Sequence, residues 1–450
     1  MNSYILDHKQ YADRLSRLIQ YDERGRVSRS VGLTLEGYLP NAAVGSLVTV
    51  KTHTPSEGSF DAEVVGFKDR KVLLMPLEDH RGTSQTSQIT LRESQASVVV
   101  GDFLLGRVLD GRGEPIDGKG PLIRTYGDER SKIKTSIYAS CLNPLERPPV
   151  EEVLDLGVRA INGFLTVGKG QRIGIMAGSG VGKSVLLGMM ARYTKAQVNV
   201  IALIGERGRE VREFIERDLG EEGLKRSVIV VSTSDKSPLL RMRGAFVATT
   251  IAEYFANQNK DVLLMMDSVT RFCMAQREIG LSIGEPPASK GYTPSVFATL
   301  PRLLERAGNR TRGSITGIYT VLAEGDDMDE PIVDAARSIL DGHIVLSRSL
   351  ASKNHYPAID VAQSISRVMS SVAHSDHKKF AAVLRELMAV YAQNEDLISI
   401  GAYVKGANAK LDQAVSVVDR ITSFLRQDVA ENTSYTETVQ LMQAVIRSIG

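Results

Sequence analysis

Residues 172–191, RIGIMAGSGVGKSVLLGMMA, determine the fold predicted for this chain. The apolar run 172–176 predicts a buried strand, 177–184 a glycine-rich turn, and 185–191 the start of a helix. Glycines let backbone N–H groups of such a turn point inward, and the helix N-terminus adds partial positive charge, so the turn can cradle phosphates. The nucleotide-binding residues predicted from this segment are Gly178, Ser179, Gly180, Val181, Gly182, Lys183, Ser184 and Val185.

Two side chains of this turn supply its specific chemistry. Lys183 is expected to reach the β- and γ-phosphates of a nucleoside triphosphate, and the Ser184 hydroxyl is expected to ligate Mg²⁺. The first glycine of the usual pattern is replaced by Ala177, which is small enough for that position. The turn therefore predicts ATP and Mg²⁺ as cofactors. The alternative is a chance glycine turn with a surface lysine, and two further strand ends speak against it.

The first of these strand ends is an aspartate. The apolar run 261–266 ends in Asp267. Ligands of open parallel sheets bind at the carboxyl ends of the strands, and a carboxylate there can hold Mg²⁺, often through water. A simple cap on the turn toward Thr270 is the alternative. The phosphate-binding turn upstream favours the metal role for Asp267.

The second strand end carries a run of charges. The apolar run 198–204 is followed by Gly205 and then by Glu206 and Arg207. A carboxylate beside bound triphosphate is useful when it orients and polarises the attacking water, which is the catalytic role predicted for Glu206. Arg207 is predicted to offset that charge or to touch the γ-phosphate. Helical spacing predicts surface ion pairs for the remaining charges of the run, which are Arg209, Glu210, Arg212 and Glu213.

Composition limits the class of protein. The 450 residues, 42% of them hydrophobic, predict about three domains with sizeable cores. No apolar run is as long as a membrane span, and the N-terminus shows no secretory signal. Two distant cysteines, Cys141 and Cys273, suit a reducing compartment. The net charge of +2 is too balanced to imply a nucleic-acid partner. A cytoplasmic protein is therefore expected.

Four parts follow one another along the chain. Residues 1–20 predict an amphipathic helix, which either packs on its own domain or docks a partner. Residues 21–97 alternate apolar and polar side chains in short runs, which predicts a small β-barrel or sandwich. In residues 98–353 apolar runs alternate with helical stretches, which predicts a parallel sheet flanked by helices. Residues 354–450 predict a helical domain, and no strand is expected there.

One decapeptide carries a resemblance to a known family. Residues 357–366, PAIDVAQSIS, match the diagnostic sequence of the family that contains the catalytic subunits of rotary ATP synthases, the Rho termination factor and the secretion ATPases. Residues 205–214, 284–287 and 324–328 are similar to the type III secretion branch. The segment 264–281 is most like the flagellar export ATPase. The resemblance covers nearly the whole chain.

The resemblance implies a fold and further site residues. It implies an α/β fold with a RecA-like P-loop parallel-sheet core, an N-terminal β-barrel and a C-terminal helical domain. Arg367 occupies the position of the arginine finger, which reaches the active site of the neighbouring subunit. Tyr356 matches the aromatic residue that stacks on adenine. Glu206 separates catalytic from non-catalytic subunits, since the latter carry glutamine.

The resemblance also implies an activity and partners. It implies a Mg²⁺-dependent ATPase that energises protein export through the flagellar type III apparatus as a homohexameric ring. The implied partners are a stator-like regulatory protein at the N-terminus, a central stalk protein, chaperone–substrate complexes and the export gate at the membrane. The implied location is cytoplasmic, peripherally associated with the inner-membrane export apparatus, and no nucleic-acid partner is implied.

Three alternatives stay open at this point. A virulence-associated type III secretion ATPase shares nearly all of these motifs. A Rho-like RNA translocase would need aromatic and basic residues for base stacking in its N-terminal domain, but residues 25–97 contain few aromatic residues, Tyr38, Phe60 and Phe67, and have mixed charge. A nucleotide-binding subunit without activity would bind ATP stably, and Glu206 speaks against it.

Overall fold

The structure, a computed structural model, describes residues 24–52, 58–122, 133–323, 327 and 329–449. The chain divides into two compact units. The first ends at Ala96 and includes the short segment Ser282–Gly284, and the second begins at Ser97. The predicted helix 1–20 lies outside the described residues, as does all of the 324–328 motif except Asp327.

The described residues of the first unit form an antiparallel barrel. Its strands are β1 Arg24–Val31, β2 Thr34–Tyr38, β3 Leu47–Lys51, β4 Ser59–Lys68, β5 Lys71–Pro76 and β6 Gln88–Glu93. They close in the order β1-β2-β5-β4-β3-β6. Successive side chains of a strand point to opposite faces, so the alternating pattern directs one apolar set inward. That core contains Val27, Leu35, Val48, Val50, Phe60, Ala62, Val64, Val72, Leu74 and Ile89. The predicted β-barrel is confirmed.

The second unit is organised around one large sheet. A separate antiparallel ribbon precedes it, formed by β7 Ser97–Val100 and β9 Ile133–Ser136. The strands of the sheet are β8 Val108–Asp110, β10 Arg172–Ala177, β11 Val198–Ile204, β12 Ser227–Ser232, β13 Asp261–Asp267, β14 Gly308–Asn309, β15 Ser314–Leu322, β16 Gly342–Leu346 and β17 Ile359–Ser366. Their order is β17-β16-β10-β15-β13-β11-β12-β8, and β14 pairs with β15. From β16 to β8 all neighbours on this path are parallel. The predicted parallel-sheet core is confirmed.

Helices connect the parallel strands and complete the C-terminal region. Those that precede β17 are α1 Arg159–Phe164, α2 Lys183–Tyr193, α3 Gly208–Glu213, α4 Gly220–Lys225, α5 Pro238–Asn257, α6 Val269–Ser282, α7 Pro294–Leu304, α8 Pro331–Ile339 and α9 Arg348–Ser352. Those that follow it are α10 Met369–Val372, α11 Ser375–Gln393, α12 Glu395–Ser399, α13 Ala409–Leu425 and α14 Tyr435–Arg447. None of the helices formed by the described residues has the length and apolar composition to cross a bilayer.

The strand β17 corrects one expectation. No strand was expected after residue 353, yet Ile359–Ser366 pairs antiparallel with β16 at the edge of the sheet. Its residues alternate between buried and exposed for much of their length, as an edge strand requires. The domain limits 97/98 and 353/354 stay predictions.

The C-terminal helices share the apolar core of the sheet. Buried residues of α11, α13 and α14 belong to the same continuous cluster as residues of β10 and α2, and they include Leu384, Leu387, Val417, Ile421, Phe424 and Met442. The rings of Phe164 and Phe424 lie edge to face with centroids 6.0 Å apart. The helical region is therefore packed on the sheet and is confirmed as helical after β17.

A buried ion pair joins distant parts of the second unit. The Arg306 guanidinium donates from Nε and Nη2 to the two carboxylate oxygens of Glu253, at 3.0 and 2.6 Å. It also donates to Thr250 Oγ1 at 2.9 Å and to the Ile137 carbonyl at 2.6 Å. Arg310 lies 2.9 Å from the same carboxylate. Glu253, Thr250 and Ile137 all accept hydrogen bonds from the one buried guanidinium of Arg306, so its loss would disturb several buried contacts at once.

Replacing Arg306 by methionine should therefore destabilise the fold. Arg306→Met leaves the Glu253 carboxylate with Arg310 alone and the Ile137 carbonyl without its donor, so we expect the free energy of unfolding to fall by about 3–5 kcal/mol. Denaturant titration followed by circular dichroism measures this loss. The exposed Arg312→Met is the matched control and should unfold like the wild type. Unfolding of Arg306→Met at the wild-type denaturant concentration would show that the cluster adds no stability.

Candidate nucleotide site

The glycine-rich turn lies between β10 and α2. Gly180 and Gly182 have φ of 77° and 87°, a region that strains residues with a β-carbon, so glycine is required there. Ser179 and Gly180 are exposed, whereas Val181 is buried in the core and can offer a ligand only its backbone. The turn ends where α2 begins, which leaves the N–H groups of the first helical turn free for an anion.

Three charged side chains meet beside this turn. The Lys183 ammonium lies 2.5 Å from Asp267 Oδ1 and 3.6 Å from Glu206 Oε1. The exposed fractions of the Lys183, Glu206 and Asp267 side chains are 13%, 17% and 5%. Asp267 ends β13, in register with Leu203 of β11, and Glu206 follows the end of β11. Lys183 begins α2, after the glycine-rich turn that follows β10. The structure thus brings together the groups that the sequence predicted at three strand ends.

Thr320 is a second hydrogen-bond partner of the Asp267 carboxylate. Its hydroxyl, buried in β15, donates to Asp267 Oδ1 at 2.7 Å. Nearby, the Leu322 amide donates to Thr270 Oγ1 at 2.8 Å, so the start of α6 is bound to the end of β15. The carboxylate of Asp267 is therefore directed at Lys183 and Thr320. No role was predicted for Thr320, whose only signal in the sequence is a hydroxyl near the end of an apolar run.

Burial and neighbouring charge shift the titration of two of these groups. Burial, reinforced by the negative charge of Asp267, raises the pKa of Glu206 to about 7. Burial lowers the pKa of Lys183, but the charges of Asp267 and Glu206 outweigh that effect, so the net pKa is raised. Lys183 therefore stays an ammonium, while Glu206 can gain or lose a proton near neutral pH.

Glu210 is a second carboxylate at this end of β11. A side-chain hydrogen bond with Glu206 is the main cause of its lowered pKa. Its carboxylate also lies 3.4 Å from the Arg207 guanidinium. The sequence predicted Glu210 as a plain surface charge, and the contact with Glu206 was missed. The predicted surface pairing of Arg209 is confirmed, since it lies 3.2 Å from Glu213.

The side chain of Arg207 is turned away from the turn. It is 83% exposed and paired with Glu210. Arg207 is the residue that precedes α3, and its carbonyl accepts the Val211 amide at 3.1 Å. The structure therefore does not bring the Arg207 side chain to Lys183. It reaches Glu206 only through Glu210.

Tyr356 lies against the glycine-rich turn. A β-carbon built on Gly182 would be 3.5 Å from ring atoms Cδ1 and Cε1 of Tyr356. The tyrosine is 42% exposed, so one side of its ring is accessible to a ligand. The main-chain carbonyl of Tyr356 accepts a hydrogen bond from the main-chain N–H of Gln427 at 3.0 Å. Gln427 was not singled out by the sequence.

Arg367 lies at the other end of the sheet. It follows Ser366, which is in register with Gly342 at the start of β16, whereas Leu346 at the end of β16 is in register with Ala177. Four residues of strand separate these two levels, about 13 Å. Arg367 is exposed, and its main-chain amide donates to the Asp341 carbonyl at 3.0 Å. Arg367 is therefore not part of the site formed by its own turn.

The donor set of the site fits Mg²⁺ bound together with phosphates. Asp267 offers a carboxylate and Ser184, exposed at the start of α2, offers a hydroxyl; both are oxygen donors, as Mg²⁺ prefers. Among the described residues no group of three or more His, Cys, Asp or Glu side chains could hold a metal without other ligands. A magnesium ion here would thus take its remaining ligands from water and from a nucleotide.

Two family models match parts of this chain. The model of the ATP synthase alpha/beta family nucleotide-binding domain matches residues 157–366, and that of the T3SS EscN ATPase C-terminal domain matches 373–444. The flagellum-specific ATP synthase of Bacillus subtilis is 50% identical over 94% of this chain and 95% of its own. The type 3 secretion system ATPase of Sinorhizobium fredii is 48% identical over 93% and 91%.

Solved structures of type III secretion ATPases are also similar to this chain. The assembled ATPase EscN from the enteropathogenic E. coli type III secretion system matches with a TM-score of 0.87 and 45% identity, covering 94% of this chain and 100% of EscN. EscN in complex with its central stalk EscO matches with a TM-score of 0.86 at the same identity and coverage. The resemblance read from the motifs is confirmed, and the chain belongs to the family of flagellar and type III secretion ATPases.

Proposed function

We propose that this chain hydrolyses Mg²⁺-bound ATP to energise protein export through the flagellar type III apparatus, as a homohexameric ring. The observation that carries the proposal is the meeting of Lys183, Asp267 and Glu206 from three strand ends beside the glycine-rich turn. Family membership supports the ATPase activity. The identities of 50% and 48% to flagellar and type 3 secretion relatives are close, so a virulence-associated system remains the second candidate, and genomic neighbours would decide.

The turn and its flanking residues bind the nucleotide in this proposal. Backbone N–H groups of 178–185 surround the phosphates, and Lys183 moves from Asp267 to the β- and γ-phosphates. Ser184 and Asp267 would hold Mg²⁺, which would supply positive charge beside the phosphates. Thr320 keeps the Asp267 carboxylate directed into the site. The accessible face of Tyr356 stacks on adenine.

Glu206 orients the attacking water. It lies 3.6 Å from Lys183, so its carboxylate faces the place where Lys183 meets the phosphates. A carboxylate with a pKa near 7 can accept a hydrogen bond or a proton from water at neutral pH. The pairing of Arg207 with Glu210 supports the role in which Arg207 offsets negative charge beside Glu206, and gives no support to direct contact with the γ-phosphate.

Arg367 completes the site of a neighbouring copy. Its position at the opposite end of the sheet from the turn supports action on another subunit. An arginine finger of this kind is worth roughly 10³–10⁵ in turnover, because it neutralises charge on the transferring phosphoryl group. A ring gives every copy a neighbour on each side, and the assembled EscN relative supports that arrangement.

Partners follow from the relatives. The EscN–EscO complex supports a central stalk protein as partner of the ring. We further propose a stator-like regulatory protein bound at residues 1–20, chaperone–substrate complexes, and peripheral association of this cytoplasmic protein with the inner-membrane export gate. RNA is not proposed as a partner, because of the barrel aromatics only Tyr38 and Phe67 are exposed among the described residues. ATP hydrolysis that is stimulated by RNA would support the alternative hypothesis of a Rho-like RNA translocase.

Glu206→Gln should separate binding from turnover. The amide keeps the size of the side chain but cannot accept a proton, so we expect ATP affinity within a few-fold of wild type and turnover lower by roughly 10²–10⁴-fold. Steady-state hydrolysis and equilibrium binding of ATP measure the two quantities. Glu222→Gln, in an exposed pair with Lys225, is the control and should be active. Preserved turnover in Glu206→Gln would remove it as the water-orienting group.

The titration of Glu206 predicts a pH dependence. Because its pKa is raised to about 7, the free enzyme carries more protonated Glu206 as the pH falls, and kcat/KM for ATP should decline about tenfold per unit well below pH 7. Above pH 7 the carboxylate dominates and the profile should level off. Hydrolysis rates at low ATP between pH 5.5 and 8.5 test this. A flat profile across that range contradicts the assigned role.

Mixed rings test the finger. Arg367→Ala keeps an intact glycine-rich turn but lacks the arginine finger. Lys183→Ala keeps the finger but lacks the lysine of the turn, so each variant should be inactive alone. In mixed rings, some interfaces combine an intact turn with an intact finger, and hydrolysis should partly recover. Rates of separate and mixed preparations provide the measurement, with the exposed Arg209→Ala as active control. Verified mixed rings without recovery would rule out a finger acting between copies.

A further inference from the structure

Gln427 is a buried amide just after helix α13. It is 4% exposed. Its Oε1 accepts the Arg159 amide at 2.7 Å, and its Nε2 donates to the carbonyls of Gly157 and Glu431, both at 2.8 Å. Both donor hydrogens of the side-chain amide and one lone pair of its oxygen are therefore used. A buried amide satisfied in this way fixes its own main chain as well as its side chain.

The main chain of Gln427 holds Tyr356. Its N–H donates to the Tyr356 carbonyl at 3.0 Å. The ring of that tyrosine lies beside Gly182 in the glycine-rich turn. One residue of the C-terminal region thus links the segment before α1 to the aromatic ring at the nucleotide site.

Arg159 fixes the same turn from a second direction. Its Nε donates to the Phe424 carbonyl at 2.9 Å, and its Nη2 donates to the Arg426 carbonyl at 2.5 Å. These carbonyls belong to the last turn of α13 and the residue after it, where helices leave acceptors without partners. Arg159 also donates to Thr433 Oγ1 at 3.1 Å and is paired with Glu431. The N–H of Gln427 therefore projects from a main chain held at both ends.

We propose that Gln427 is a positioning residue that keeps the Tyr356 ring in place for the nucleotide base, without contacting the nucleotide itself. The inference rests on the proposed stacking role of Tyr356. When the side-chain amide of Gln427 is lost, residue 427 keeps its main-chain N–H, but Arg159 alone then holds this part of the main chain. The N–H can then move away from the Tyr356 carbonyl, and the ring samples other positions. Binding must then restore the ring, which weakens affinity. The Lys183, Asp267 and Glu206 side chains stay where they are, so the chemical step is unaffected.

The test combines two variants of Gln427 with a change of its target. Gln427→Met removes all three side-chain hydrogen bonds at similar volume, and Gln427→Glu keeps the acceptor for Arg159 but removes the donors. We expect Gln427→Met to raise the KM for ATP about tenfold with kcat within about twofold, and Gln427→Glu to act in the same direction. Gln413 is exposed on helix α13 and provides the matched control. Gln413→Met should leave KM and kcat unchanged.

A double-mutant cycle separates positioning from general damage. In the Tyr356→Ala background Gln427→Met should have no further effect on KM, because the ring it positions is gone. The same rise in KM in both backgrounds, or an equal fall in kcat, would overturn the inference and leave Gln427 a structural residue. Unchanged KM in Tyr356→Ala alone would refute the stacking role first, and the inference with it, while an inactive wild-type protein would refute the proposed ATPase itself.

Discussion

One ammonium shared by two carboxylates organises the site. Lys183 comes from the helix that follows the glycine-rich turn, and its partners come from two other strands, so the contact can form only when β10, β11 and β13 are in their observed order and register. Two carboxylates held this close would repel each other without the lysine. The three charges therefore meet only when the strands are correctly paired. In the proposed function, ATP replaces the contact between Lys183 and Asp267.

The sequence predicted much of this arrangement because its signals are local. Gly180 and Gly182 stand where a positive φ is needed, and Glu206 and Asp267 each follow an apolar run that predicts a buried strand. The strand β17 was missed, because a polar, edge-type alternation between two helical stretches resembles a loop. The last eight residues of the decapeptide that carries the family resemblance form this strand.

Other residues could not be predicted because their partners are distant in the chain. Thr320 contacts Asp267 only because β15 lies next to β13, and the sequence of neither strand determines the order of the strands in the sheet. Gln427 is bound to Gly157 and Arg159, some 270 positions away, through backbone groups that every residue type possesses. Glu210 was correctly placed on a helix, but which carboxylate it would meet depended on how that helix leaves β11.

The separation of the glycine-rich turn from Arg367 along β16 limits how copies can associate. If Arg367 acts as the proposed finger, each copy gives an arginine from one end of the sheet and receives one at the other, so the contact uses two different patches of the surface. An open chain of copies would always leave one pocket without an arginine at its terminus, and only cyclic closure removes that defect.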